Sequence, residues 1–426
     1  MEGHNAEGRG TDRMPLLGRG PKPRGALRQT GALLTPRAIS AAQIMAERDA
    51  SVRLRRLRDA AGDSLRQRLR HTRPRMRALV LASGGRLIWR SVPAPPAPGP
   101  LGAVVHPLAM ATCDMDRPIG LGRTPFPLPL RLGHECVAEV LSVGADVESI
   151  RPGQRVVVPF QINCGSCHSC VAGQTANCLT VPPISMYGFG IAGGHWGGTL
   201  ADELAVPFAD AMLVPLPDGV DPVAAASVAD NVSDAYRHVA PYLPDLLAQD
   251  PGAAVLILAG VGRSPVFTPS VALYAGQIAQ ALGARNVTVV DGRPGTRAVA
   301  DRLGLSAIRP AEVKGHAPAR LVIDATAAPR GHKLALRSTA ADGICSNTGS
   351  LHLHAKIPIA LMYGRNVTLR VSRAHARTHI PDVLALMVDG RLHPELVTTI
   401  QAPLDDAREA LEAHLAGHSI KTVLTA

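Results

Sequence analysis

The sequence predicts an α/β protein of two units, a β-rich, partly barrel-like one followed by a doubly wound parallel sheet. Three observations carry this. From Met76 to about residue 220, short apolar runs alternate with Gly/Pro turns, as closely spaced strands do. Beyond residue 220 the texture becomes strand, helix, strand, with strands apolar throughout, as expected of a sheet buried on both faces. The first 75 residues fit neither unit and form an extension of their own.

Within the β-rich unit, "RALVLASGG", "GAVVHPLAM", "HECVAEVLSVG", "RPGQRVVVPF" and "LADELAVP" are the expected strands. In the second unit "AAVLILAG", the helical "SVALYAGQIAQALG" and "NVTVVDG" make one strand–helix–strand step, and "PARLVIDAT" and "ADGICSNTG" add strands. "LDDAREALEAHLAG" has the acidic start and glycine stop of a capped helix, and "IKTVLTA" is a closing strand. Aromatics make up only 3% of the 426 residues, so Val, Leu, Ala and Ile must fill the cores.

The formal charge of +11 is concentrated at one end. Residues 1–75 carry 17 Lys and Arg against 7 Asp and Glu, and the remainder 28 against 27. The extension has no Phe, Tyr or Trp and opens rich in Gly, Pro and Arg, so it is expected to be largely disordered. One stretch is regular: Leu54, Leu57, Ala61, Leu65 and Leu69 recur at helical spacing among arginines. A solvated helix, an arm for an acidic surface, a targeting peptide and a translation start at Met76 all remain open. Nucleic acid is disfavoured as a partner, because the extension offers no aromatic ring for base stacking. No apolar run approaches the roughly 20 residues that cross a bilayer, and no secretory h-region leads the chain. The expectation is a cytoplasmic protein with reduced thiols.

Four of the seven cysteines fall in "CGSCHSCVAGQTANC". Cys164, Cys167, Cys170 and Cys178 have the spacing C-x2-C-x2-C-x7-C, with Gly165 and Gly173 easing the turns. Four thiolates on one loop can surround a tetrahedral zinc ion, whereas disulfides would have to pair close neighbours. An iron–sulfur cluster is the alternative. Four sulfurs leave no open position, so this site is structural, and His168 within it faces solvent.

Upstream, "ATCDMDRP" and "LGHECVAEVLSVG" contribute Cys113 and His134. Alone they read equally as a buried thiol and a hydrogen-bonded histidine. Their order ahead of the four-cysteine loop and of the strand–helix–strand step makes residues 76–426 resemble the zinc-dependent medium-chain alcohol dehydrogenases. Through "GGHWGGTLADELAVPFADAMLVPLPDGV" they resemble most the branch with glutathione-independent formaldehyde dehydrogenases. The resemblance implies a GroES-like catalytic domain of residues 76–231 and 372–426, with a Rossmann domain of residues 232–371. It implies that Cys113, His134 and Asp230, in "SVADNVSDAY", hold a catalytic zinc with Glu135 beside it, and that Asp116 orients the histidine. Read alone, Asp230 is also a plain helix N-cap. Cys136 and Cys345 are expected as small core residues. Two positions depart from the pattern: Met115 stands where a hydroxyl would relay the proton, and Ala138 stands where a glycine is usual.

For the cofactor, Gly260 and Gly262 supply the tight turn and close backbone approach of a dinucleotide loop. Asp291 ends the next strand, where a carboxylate accepts from a ribose hydroxyl; this favours NAD over NADP, with Arg293 keeping NADP open. Ala272 takes the third glycine's place, and "RSPVFTPS" makes the loop longer than the family's. The resemblance assigns Lys421 to the pyrophosphate; otherwise it is a strand lysine in solvent. The implied reaction is hydride transfer between a small alcohol or aldehyde and NAD(P). The alternative is a catalytically altered member with a binding role. His195 and Trp196 are candidates for the substrate pocket, and a homodimer or homotetramer is implied.

Overall fold

The computed structural model describes residues 74–426 apart from 125, 191, 263–264 and 350–354. The extension, with its Leu54–Leu69 pattern, lies outside the described residues. The strands of the first unit are β1 (Arg75–Ala82), β2 (Arg86–Pro93), β3 (Ala103–Ala111), β4 (Leu130–Arg131), β5 (Glu135–Val143), β6 (Arg155–Val158), β7 (Leu204–Val206) and β8 (Val214–Pro215). The parallel sheet follows with β9 (Val255–Gly260), β10 (Val287–Asp291), β11 (Ser306–Ile308), β12 (Ala319–Asp324), β13 (Thr339–Asn347) and β14 (Thr368–Val371). The chain then returns to the first unit with β15 (Ile400–Pro403) and β16 (Thr422–Thr425).

A small antiparallel sheet of order β2-β1-β4 flanks a larger one of order β15-β16-β3-β5-β6-β8, in which β7 also pairs with β3. The strand period of two lets β5 serve two cores at once. Cys136, Ala138 and Val140 point into the core of the first unit, while Val137 points the other way into the core shared with the second. The fully buried Ala138 is therefore absorbed by β5, as a small strand residue can be.

The second sheet runs β11-β10-β9-β12-β13-β14, all parallel. All six residues of β9 are buried, which is why "VLILAG" shows no polar alternation. The helix after it, Ser270–Ala281, buries ten of its twelve residues against this sheet. The chain leaves β9 for β10 on one side and reaches β12 on the other, so the strand order reverses at β9. Such reversals open a crevice at the strands' carboxyl ends, where ligands bind. Among the described residues no helix is long and apolar enough to cross a membrane.

The β5 turn is packed backbone to backbone. A Cβ at Gly144 would stand 1.9 Å from the Gly99 carbonyl oxygen, whereas one at Gly99 would meet nothing within 4 Å. Gly144→Ala is expected to destabilise by about 3 kcal/mol in urea unfolding, and Gly99→Ala by less than about 0.5 kcal/mol.

Candidate functional site

The four-cysteine loop closes on itself. Gly165 and Gly173 take φ of +75° and +74°, a region that favours glycine. The sulfurs of Cys164, Cys167, Cys170 and Cys178 lie within 4.8 Å of one another, and all four cysteines are free. Donors are aimed at them: Cys167 N–H at 3.3 Å and Thr180 Oγ1 at 3.1 Å on Cys164 Sγ, and Leu179 N–H at 3.3 Å on Cys167 Sγ. Burial alone would raise the Cys164 thiol, but the hydroxyls of Thr180 and Ser166 pull it down to about 6. Cys167 is lowered as well, whereas burial raises Cys170 and Cys178. Donors within the loop thus favour the thiolate, the form a metal takes, at two of the four positions. His168 is exposed, as expected.

A second cluster forms where three strands end together. Thr425 of β16 is opposite Ala109 of β3, and Ala111 of β3 is opposite Glu135 of β5. This register sets Lys421, Cys113, His134 and Glu135 at one edge of the sheet. Asp230 arrives from the second core, just before helix α1 (Asn231–Val239). One donor atom each from Cys113, His134, Glu135 and Asp230 lies within 4.8 Å of the others, and all four residues are buried.

Asp230 occupies the N-cap position of α1, but its side chain makes no cap hydrogen bond. Its Oδ2 instead lies 3.3 Å from His134 Nε2. That nitrogen is buried and has no hydrogen-bond partner, so the contact is close without the alignment of a hydrogen bond. A lone pair left so is what a metal ligand needs. Phe160 and Phe189 flank the imidazole, with ring centroids 5.9 and 5.0 Å away.

The electrostatics agree. Burial pushes the Cys113 thiol well up, and Asp230, Glu135 and Asp116 push it further. For His134 burial works downward, but Asp230, Asp116 and Glu135 outweigh it and raise the imidazole. Buried acids with too few cations are costly, and a divalent ion between sulfur, imidazole and carboxylate would supply what is missing. The donor set fits zinc.

Two expectations need correction. Asp116 accepts a hydrogen bond from the Cys113 N–H at 2.8 Å; it braces that turn and acts on His134 only through space. Lys421 is neither in solvent nor free for a phosphate. Its ammonium donates to Glu135 Oε1 and Oε2 at 2.9 and 2.7 Å and to Asn231 Oδ1 at 2.7 Å, which uses all three hydrogens. Burial would lower its pKa, but Glu135 raises it.

Sequence reasoning missed Asn231. Its amide donates to Cys113 Sγ at 3.2 Å and to Asp230 Oδ2 at 3.1 Å, so it braces both side chains from one residue beyond Asp230. Met115 is half-buried, and its N–H points at Cys113 Sγ at 3.4 Å. Cys136 and Cys345 are core residues. Trp196 packs partly buried against the first core, and His195 is exposed at φ +65°.

The parts of a dinucleotide site stand in order. Gly260 ends β9, Gly262 has φ +96°, and Asp291 ends β10. Asp291 is buried, with Arg293 Nη2 at 2.6 Å from its Oδ2. Ala272 is fully buried in the following helix.

A reversing parallel sheet beside a β-rich unit with a Cys–His–Asp cluster defines the class of zinc-dependent dehydrogenases. Comparison agrees: residues 99–218 match the "Alcohol dehydrogenase GroES-like domain" and residues 270–389 the "Zinc-binding dehydrogenase" family. The chain is 30% identical over 340 residues to a "Probable zinc-binding alcohol dehydrogenase" of Mycobacterium tuberculosis, covering 78% of this chain and 83% of that protein. A glutathione-independent formaldehyde dehydrogenase of Bacillus subtilis is 40% identical over 120 residues, 28% of this chain and 29% of its own. Alcohol dehydrogenase TADH from Thermus sp. ATN1 superposes with a TM-score of 0.72 at 29% identity, covering 82% of this chain and 99% of its own. The chain belongs to the zinc-binding alcohol dehydrogenase family and is a zinc-dependent oxidoreductase, whose family uses a nicotinamide cofactor.

The Lys421–Glu135 pair is testable apart from activity. Lys421→Met leaves a buried carboxylate unpaired and should cost about 3–5 kcal/mol in chemical unfolding. Adding Glu135→Gln should recover most of that loss; a single variant that unfolds like wild type would contradict the assignment.

Proposed function

We propose that Cys113, His134 and Asp230 hold one catalytic zinc ion, that the four-cysteine loop holds a second, structural one, and that the chain interconverts a small alcohol and its aldehyde with NAD favoured over NADP. The observation that supports this most is the carboxylate of Asp230, which leaves the helix cap open to join a thiol and an imidazole from the other unit. Three protein donors leave one tetrahedral position for substrate. Zinc bound there would supply Lewis acidity and ease ionisation of an alcohol, and the nicotinamide would supply the hydride acceptor.

The chain's own residues do the positioning. Asn231 fixes Cys113 and Asp230 relative to each other. Lys421 donates to both oxygens of Glu135 and so offsets its charge beside the proposed ligands. Phe160 and Phe189 limit water beside His134. Met115 has no proton to transfer, so the substrate's proton leaves through another group or water. The preference for NAD rests on Asp291 at the end of β10, whose carboxylate, once released from Arg293, would accept from a ribose hydroxyl and repel a 2′-phosphate. Relatives are named for formaldehyde, geraniol and L-threonine oxidation, which spans the alcohol and aldehyde class without choosing within it. Reduced cysteines suit the cytoplasm.

Metal analysis tests the reading: two zinc ions per chain in wild type, one in Cys113→Ser with NAD-linked alcohol oxidation lost and the fold kept. Two zinc ions retained by the variant would sink it.

The same reading includes a homodimer through the β14 edge. The helix Ile359–Arg365 buries no residue, and Ile359, Tyr363 and Val371 are 61%, 85% and 63% exposed. A second copy would cover this patch. Tyr363→Asp should shift the sedimentation coefficient from dimer to monomer; a monomeric wild type would refute the dimer.

A further inference from the structure

In a fold of this kind the helix after the glycine loop receives the cofactor's pyrophosphate on its free N–H groups. Here that helix, α2 (Ser270–Ala281), is served by an anion of the chain itself. Asp114 accepts from the N–H groups of Ser270 and Val271, both at 3.1 Å, from Thr268 Oγ1 at 2.7 Å, and from the Ser270 hydroxyl. It comes from the other unit, one residue beyond Cys113. Its carboxylate and a pyrophosphate would compete for the same donors and repel each other.

The surrounding loop is fastened from both sides. Arg117 donates to the carbonyls of Pro265 and Val266 at 2.8 and 3.0 Å, and to Leu415 O at 3.1 Å. From the parallel-sheet side Arg293 donates to Phe267 O at 2.7 Å while holding Asp291. Pro265 sits over the glycine turn, so near that a Cβ on Gly260 would be 2.9 Å from its Cγ. A groove of about 480 Å³ lies along this segment, with Pro265, Thr268 and Pro269 in its wall beside Arg117, Arg293 and Arg302. Residues 265–269 of the longer loop thus lie across the cradle.

We propose that Asp114 is a built-in anion that holds the dinucleotide cleft shut, and that cofactor enters only when its carboxylate leaves α2 and residues 265–269 come away from Arg117 and Arg293. The proposal rests on the dinucleotide reading above. A ligand that binds only the open fraction shows an apparent affinity reduced by that fraction, so a change that favours opening should tighten binding.

Asp114→Asn removes the charge while keeping an acceptor of equal capping rank; Asp114→Ser provides a second, smaller cap. Fluorescence titration of the zinc-loaded full chains with NADH, with circular dichroism to confirm folding, is the measurement. The expected result is a Kd for NADH about tenfold lower in both variants than in wild type, and inorganic pyrophosphate competing more strongly in the variants. Equal or weaker NADH binding in both folded variants, with wild type binding, overturns the closed cleft and leaves the dehydrogenase reading intact. Absence of NADH and NADPH binding in all three proteins overturns both.

Discussion

Negative charge buried at the edge of the antiparallel sheet is the constraint to which the rest of the site answers. Cys113, Asp116, Glu135 and Asp230 are all buried, and burial raises the free energy of each ionised form. Lys421 settles one of them by a two-oxygen contact with Glu135. Asp116 is partly offset by the N–H it accepts. That leaves thiol and Asp230 carboxylate facing a histidine nitrogen that has no partner. A core that keeps such a set, rather than Leu and Val, is less costly when a cation joins it.

Much of this was legible, for identifiable reasons. The cysteine loop is local: four cysteines and two glycines within fifteen residues fix their own geometry. The strand runs and the β9–β10 step announce themselves by period and by apolar length. Asp230 was harder, because capping and ligation ask for the same residue type; only the direction of its carboxylate separates them. Asn231 and Lys421 were not legible as parts of the Cys113–His134–Asp230 cluster. Lys421 is 286 residues from Glu135, and the pairing exists only because β16 lies against β3 and β3 against β5. Nothing in "GHSIKTVLT" signals that register.

Asp114 shows the same limit from the other direction. In sequence it is one more acid in "ATCDMDRP", next to residues that attract attention. Its contacts form only when the two units pack together, so its effect on α2 belongs to tertiary structure. The same packing explains why residues 265–269 do not stand off into solvent. Arg117 and Arg293 satisfy carbonyls of Pro265, Val266 and Phe267 that an irregular segment would otherwise leave to water.

These contacts join two places usually treated apart. Ser270 Oγ, at the start of α2, contacts Asp114 and also lies 2.9 Å from Asn231 Oδ1. Asn231 in turn reaches Cys113, Asp230 and Lys421. A hydroxyl has one hydrogen, so Ser270 cannot donate to Asp114 and Asn231 together. Displacing Asp114 would free that hydrogen for Asn231 Oδ1, which already accepts from Lys421, and would also move the backbone next to Cys113. A change at the start of α2 therefore has two short physical routes to the thiol, one covalent and one through a single amide. The positions of Cys113 and Asp230 and the hold on the start of α2 are in this way set by the same few side chains.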